Sequence, residues 1–411
     1  MPDPSSRRRD DDLYDAVVVG GGPAGSTAAH DLAIAGCRVV LLDRAGRIKP
    51  CGGAIPPRLI SEFDIPHRLL VARISSARMV APSGRQVDIP IENGFVGMVD
   101  REHFDEWLRV RAVEAGAERI TGTFEDISRN DDGTVTVAFV EPAGAGSTRN
   151  RRELRSRAVI GADGARSLVA ARAMPKDKRP PFVFAYHEII HSPRPEDTTA
   201  ARDFDSRRCD VIYRGATSPD FYCWVFPHGE TTSVGTGSAV KGFGLKEAVS
   251  RIRSDSGLEC QPTLRSEGAP IPLKPRRRWD DGRNVVLAGD AAGVVAPASG
   301  EGIYYAMLGG RLAGEAVRTF LESGDAHALS TARRRFMRLH GRVFWVLGMM
   351  QYFWYGSDVR RERFVSICRD KDVQRLTFEA YMHKKLVRAE PMAHVRIFFK
   401  DLAHLLGLAK A

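Results

Sequence analysis

The stretch Tyr14–Arg44, YDAVVVGGGPAGSTAAHDLAIAGCRVVLLDR, reads as strand, tight turn, helix and strand. Ala16 to Val19 are small and β-branched, which suits a parallel strand buried on both faces. Gly20, Gly22 and Gly25 then give the G-x-G-x-x-G spacing, with Pro23 and Ala24 between the last two. The first glycine allows a sharp turn, the second lets backbone approach a pyrophosphate, and the third lets the helix pack close to the strand. A helix from about Ala24 aims its unpaired N–H groups at the phosphates. Arg38 to Leu42 form the next strand, and Asp43 follows 18 residues beyond Gly25, beside Arg44. A carboxylate there suits a ribose diol. These residues predict a dinucleotide site without deciding which dinucleotide occupies it.

At 411 residues the chain is too long for one simple core, so two or three domains are expected. The six cysteines form no C-x-x-C pair, which argues against a zinc knuckle, an iron–sulfur cluster or a disulfide scaffold, and no metal is expected. A reducing, cytoplasmic compartment fits that usage. The N-terminus MPDPSSRRRDDD lacks the apolar core of a signal peptide and reads as a disordered lead-in. No apolar run reaches the length of a membrane span. Residues 330–411 hold 17 Lys and Arg against seven Asp and Glu, which accounts for the whole net charge of +10. A basic terminus fits nucleic acid, an anionic membrane surface or a solvated helical face.

Past the opening unit, Cys51-Gly52-Gly53 lies between prolines and must be a loop free to approach a ligand. Cys51 is either a small loop thiol or a thiol facing the reacting centre. Short alternating segments over 74–98 suggest a β-ribbon. Asp100 is placed to cap a helix with Phe104, Leu108 and Val113 as its apolar stripe. Arg101 in the first turn opposes the helix dipole, a conflict that a bound phosphate or full solvation would relieve. Thr134–Val140 alternates as a strand, residues 141–153 read as a polar hairpin loop, and RAVIGADGARS over 157–167 reads as a buried strand running into Asp163-Gly164.

Residues 180–280 change character to an inserted, mainly antiparallel β domain. Tyr222, Trp224 and Phe226 alternate within it, so one face of a strand carries all three rings, as core or as a ligand wall. Asn284–Ala288 returns to parallel-strand grammar. It runs through Gly289-Asp290 to Pro297, Gly300 and Gly302, and a small-residue helix begins at Ile303. From 331 the chain reads as helical. Its apolar positions Val395, Phe398, Phe399, Leu402, Leu405 and Leu406 are flanked by Lys384, Lys385, Arg388, Arg396 and Lys400, a pattern for a membrane interface or for docking on the protein's own core.

Together GGGPAG with Asp43, GADGARS and GDAAGVVAPASGEGI resemble the FAD-binding set of the p-hydroxybenzoate-hydroxylase-like flavoproteins. KPCGGAIP and YCWVFPHG resemble the geranylgeranyl reductase family. KPCGGAIPPRLISEFDIP, GFVGMVDREHFDEWL and DVQRLTFEAYMHKKL are similar to its (bacterio)chlorophyll branch. The fold implied is α/β: a Rossmann-type FAD-binding domain, an inserted mainly antiparallel β substrate domain, and a helical C-terminal region. Its expected boundaries are a disordered N-terminus over 1–12 and an FAD-binding domain from 13–75, 100–175 and 281–330. A substrate domain from 76–99 and 176–280 and a basic helical region over 331–411 complete it.

The resemblance further implies NADPH-dependent saturation of three double bonds of a geranylgeranyl chain on (bacterio)chlorophyll to give the phytyl chain. It places Arg101 near the pyrophosphate, Asp290 at the ribityl–pyrophosphate part of FAD, and Asp163 and Gly164 as support. Cys51, Gly52, Gly53 and Ala54 lie beside the flavin in this reading. Partners implied are the prenylated pigment, an anionic photosynthetic membrane to which the enzyme binds peripherally, and other pigment-biosynthesis enzymes, with no nucleic acid. No second dinucleotide fingerprint marks an NADPH site, so a ferredoxin also stands as reductant. Gly293 replaces the His of many hydroxylases, and Asp43 stands where Glu is common.

An isolated trisubstituted alkene lacks a carbonyl to polarise it, so hydride delivery needs a matching proton and a stabilised developing cation. Cys51 is one candidate donor, since a free thiol is mostly protonated near neutrality. Tyr222 is another, and the faces of Tyr222, Trp224 and Phe226 are candidates to hold the positive charge. The alternatives are a reductase of free geranylgeranyl diphosphate or another prenyl lipid, an FAD aromatic hydroxylase, and a non-catalytic flavoprotein partner.

Overall fold

The computed structural model describes residues 13–44, 48–92, 94–142, 150–194 and 203–375. The expected N-terminal lead-in and the C-terminal apolar–basic segment around 394–409 lie outside them. In chain order, β1 (Leu13–Val19), α1 (Pro23–Ile34) and β2 (Val39–Asp43) form the opening unit. The short β3 (Ala54–Ile55) and α2 (Pro57–Glu62) lead to β4 (Leu70–Ile74), β5 (Ser76–Val80), β6 (Gln86–Pro90) and β7 (Val96–Val99). Next come α3 (Arg101–Glu114), β8 (Glu118–Thr121), β9 (Thr123–Arg129), β10 (Val135–Val140), β11 (Arg151–Gly161) and α4 (Leu168–Ala173). The strands β12 (Phe182–His191), β13 (Arg208–Ile212), β14 (Cys223–His228) and β15 (Thr231–Ser238) precede α5 (Leu245–Asp255) and β16 (Thr263–Pro272). The chain closes with β17 (Val285–Leu287), α6 (Ile303–Ser323), α7 (Thr331–Trp354) and α8 (Asp358–Ile367).

Two seven-stranded sheets carry the architecture. The first runs β8-β2-β1-β11-β10-β9, and β17 adds to β11 in parallel. Residues 285–287 thus rejoin the opening sheet after the β insert. Its central strands are buried throughout from Ala16 to Val19 and from Ala158 to Ile160, as a parallel sheet covered on both faces requires. The second sheet runs β16-β12-β15-β14-β13-β5-β6 and is antiparallel except where β13 meets β5. A small third sheet has the order β3-β7-β4. The ribbon expected over 76–99 is therefore split: β5 and β6 join the second sheet, and β7 pairs with β3 and β4.

Two local expectations change. β11 begins at Arg151, inside the span read as loop, because its charged outer half pairs with β10 as an edge extension of the buried strand. In α3, Phe104 and Leu108 are buried but Val113 is 42% exposed, and Ala112 takes the inward position instead. Asp100 does cap this helix, accepting from Glu102 N–H at 3.0 Å.

The opening helix is seated by α6. A Cβ added at Gly310 would lie 2.1 Å from the Ala24 carbonyl oxygen, so the two backbones touch where α1 begins. The small-residue character of α6 is the sequence counterpart of that crossing.

Candidate functional site

The β1–α1 turn opens into a cleft of about 630 Å³. Gly20, Gly22, Pro23 and Ala24 line it, with Asp43 and Arg44 at the end of β2. Asp163, Gly164 and Asp290 also line it. Gly20 has φ +105°, and a Cβ there would meet the Ala162 carbonyl at 2.5 Å. Gly22 has open space where a Cβ would stand, so its backbone faces the cleft bare. Gly25 does not line the cleft. A Cβ on it would lie 1.8 Å from the Gly20 carbonyl, so its smallness joins helix to turn.

A second, smaller pocket of about 100 Å³ adjoins the cleft, sharing Pro23, Lys49 and Asp290 with it. Cys51, Gly52, Arg101, Gly300, Gly302 and Ile303 line one side, and Trp224, His187 and Ile271 line the other. The pocket thus lies where the first sheet's loops meet the second sheet's face. Its surface is mostly apolar, unlike the cleft's. The remaining predicted residues stand behind these walls. Gly53 and Ala54 back onto His228 and β7. Gly289 packs on Ala24, and Pro297 approaches Gly348 of α7.

Arg101 lines the smaller pocket, and its partner within the protein is a carboxylate. Its guanidinium makes two bonds to Asp105, at 2.8 and 2.7 Å, one helical turn on, and the side chain is 5% exposed. That carboxylate relieves the conflict with the helix dipole. Arg101 also lies within hydrogen-bonding reach of the Cys51 side chain. Gly53 N–H donates to Cys51 Sγ at 3.4 Å. Two donors therefore face the sulfur.

The Tyr222 proton-donor expectation is corrected. Tyr222, Trp224 and Phe226 do form a row, with centroids 6.1 and 6.2 Å apart, but only Trp224 reaches the pocket. The Tyr222 hydroxyl donates to the Ser299 carbonyl at 2.5 Å, and burial pushes its pKa far up. Its proton is committed to backbone. Phe226 stands behind Gly52, where an added Cβ would lie 3.1 Å from its ring.

Asp163 caps α4: Oδ1 accepts from Ser167 Oγ at 2.5 Å and Oδ2 from Leu168 and Val169 N–H at 2.6 and 3.1 Å. Burial raises its pKa against the pull of those bonds. Asp290 is paired to Lys49, which ties the Cys51 loop to the β17–α6 turn. His228, partly buried and hydrogen-bonded through Nδ1 to the Phe226 carbonyl, has its pKa lowered by desolvation to about 4.

Several of these groups escaped the sequence reading. Arg109 donates to the Gly21 carbonyl at 3.1 Å and lies 3.5 Å from Asp43. The i, i+4, i+8 spacing of Arg101, Asp105 and Arg109 was the available signal. Lys49 sat inside a quoted motif. His187 had no local signal at all.

The residues present fit FAD. A bare-backbone turn at a helix N-terminus faces an elongated cleft. Arg44, Arg109 and Arg166 are cations suited to a diphosphate, and Asp43 supplies the diol acceptor. A mostly apolar pocket adjoins the far end.

Comparison with known proteins agrees. The lycopene cyclase protein family model matches residues 15–394. A geranylgeranyl diphosphate reductase of Rhodobacter capsulatus is 59% identical over 96% of this chain and 98% of its own. The protein of that name from Synechocystis sp. is 36% identical over 95% and 97%. Among solved structures, a geranylgeranyl bacteriochlorophyll reductase-like protein from Thermoplasma acidophilum superposes with TM-score 0.78 at 23% identity, covering 93% of this chain and 99% of that one. The chain belongs to the geranylgeranyl reductase family of FAD-dependent oxidoreductases.

Proposed function

We propose that this chain saturates the geranylgeranyl side chain of a (bacterio)chlorophyll, with FAD as resident cofactor and NADPH as electron donor. The observation that carries the reading is the junction at Lys49–Asp290, where a dinucleotide cleft meets an apolar pocket walled by Cys51 and Trp224. Gly20 to Ala24, Asp43, Arg44 and Arg109 would hold the adenosine and pyrophosphate portions, and Asp290 with Gly300 to Ile303 the inner end. FAD, when bound and reduced, supplies a hydride. Reducing one C=C bond takes that hydride at one carbon and a proton at the other, leaving two new C–H bonds.

The chain's own residues provide the rest. Cys51 is the proton donor in this reading. The Gly53 N–H and the Arg101 guanidinium lie against the sulfur and hold the thiol in place at the pocket. The Trp224 face meets the positive charge that develops on the adjacent carbon, and the pocket's apolar walls keep water from capturing it. Such a positioned acid contributes on the order of 10²–10⁴-fold in rate.

The pigment partitions into membrane, and peripheral binding to an anionic surface belongs to the same proposal. The outer face of α7 supports it: Trp345, Met349 and Tyr352 are exposed at helical spacing, after exposed Arg335, Arg338 and Arg342. Among the described residues no helix is long and apolar enough to cross a membrane. The test offers the purified, FAD-loaded enzyme geranylgeranyl-bacteriochlorophyll and free geranylgeranyl diphosphate separately with NADPH. Pigment mass rising in steps of about 2 Da is expected, and turnover of the free diphosphate alone would overturn the assignment.

A further inference from the structure

Four neighbouring strands of the second sheet place Glu267, His187, Gly235 and Trp224 in one register row. Glu267 pairs with His187, His187 with Gly235, and Gly235 with Trp224. Directly paired residues share a face, so these side chains are neighbours. Gly235 leaves the middle slot vacant and the indole fills it. A Cβ at Gly235 would stand 2.2 Å from Trp224 Cζ2 and 2.7 Å from His187 Cβ. Ser233, two residues earlier on β15, projects to the same face.

A hydrogen-bond chain runs along this row. Trp224 Nε1–H donates to Ser233 Oγ at 3.0 Å. His187 Nδ1 is 2.9 Å from Ser233 Oγ, and its Nε2 is 3.3 Å from Glu267 Oε2. An indole N–H only donates and a carboxylate only accepts. With a neutral imidazole the direction is therefore fixed: indole to serine, serine to Nδ1, and Nε2–H to Glu267. Both ring nitrogens of His187 are engaged within the sheet, although its ring lines the pocket.

We propose that Ser233, His187 and Glu267 are positioning residues that clamp the Trp224 indole with its π face at the pocket beside Cys51. The inference rests on the prenyl-reductase reading, in which positive charge develops on an alkene carbon. A ring can stabilise that charge only if its face is held toward it. The chain fixes the rotation of the indole and ends in a carboxylate, and successive hydrogen bonds polarise one another so as to enrich the ring's electron density. Trp224 is thus an oriented dipole in a dry site, and Gly235 is the vacancy that admits it.

The experiment uses FAD-loaded enzyme reduced by NADPH and mixed anaerobically with geranylgeranyl-bacteriochlorophyll, reading flavin reoxidation. If wild type is not reoxidised, the prenyl-reductase reading fails. If it is, Glu267→Gln and His187→Gln decide the inference. Each should slow reoxidation about tenfold, the scale of one dry cation–π contact, while flavin reduction by NADPH and pigment affinity stay within about twofold of wild type. In a Trp224→Phe background the same substitutions should have no further effect, because their route of action is gone. Wild-type reoxidation in either folded variant, equal slowing of both half-reactions, or full additivity with Trp224→Phe would overturn the proposal. Glu267→Gln, nearly isosteric on a partly exposed side chain, keeps the test decisive if His187→Gln does not fold.

Discussion

Replacing Gly310 by Ala tests the contact that seats the cofactor helix. The new methyl would lie 2.1 Å from the Ala24 oxygen, where ordinary contact begins at 3.4 Å, so α1 and α6 must separate by roughly 1.3 Å. The Cβ position is fixed by its own backbone and its partner is a backbone oxygen, so no rotamer change relieves the clash. Overpacking of this kind costs about 1–3 kcal/mol, while Ala in place of Gly within a helix returns about 1 kcal/mol. The net loss should be about 0–2 kcal/mol. Gly314, one turn on, is the internal control: its Cβ would lie 3.5 Å from the Ala28 oxygen, an ordinary contact. Gly314→Ala should therefore stabilise by about 0.5–1 kcal/mol. Urea denaturation of both variants with and without FAD, together with FAD titration, separates the two effects. Ala24 lines the cleft, so Gly310→Ala should also weaken FAD about tenfold or more, and Gly314→Ala should leave it unchanged. If Gly310→Ala is as stable as Gly314→Ala and binds FAD like wild type, the α1–α6 contact does not hold the cofactor helix.

Cys51→Ala should slow reoxidation of the reduced enzyme by prenylated pigment about 10²–10⁴-fold with FAD affinity unchanged; a wild-type rate removes the thiol as proton donor. Lys49→Gln leaves Asp290, 6% exposed, without its cation. Because Lys49 is itself 37% exposed, the loss should be modest, about 1–3 kcal/mol, and calorimetry of FAD binding should show weaker affinity. His228 titrates at about 4 in the folded protein and near 6.5 when unfolded. As pH falls, the unfolded chain takes up the proton first, so stability is intact above about pH 6.5 and lost progressively toward about pH 4. Denaturation midpoints near pH 7 and near pH 5 should differ more for wild type than for His228→Gln, and equal differences would count against a partly buried neutral imidazole.

The cofactor side was readable because its constraints are backbone constraints. A positive φ at Gly20, a bare Gly22 and a close approach at Gly25 demand glycine whatever the rest of the chain does. The substrate side was half readable. Period two correctly grouped Tyr222, Trp224 and Phe226, but alternation carries no depth, and the Ser299 carbonyl that engages Tyr222 lies 77 residues away. Arg101 was weighed against a phosphate without its carboxylate partner Asp105, one turn further on the same helix. The Glu267–His187–Trp224 row was beyond reach. It depends on the pairing register of strands separated by long loops, and a shift of one residue would turn each member to the opposite face.

Anaerobic stopped-flow mixing of reduced, FAD-loaded enzyme with geranylgeranyl-bacteriochlorophyll bears most directly on prenyl reduction at the Cys51–Trp224 pocket. Flavin reoxidation should match pigment gaining about 2 Da per turnover, without oxygen, and one product hydrogen should derive from solvent. A flavin that stays reduced until oxygen is admitted would contradict it.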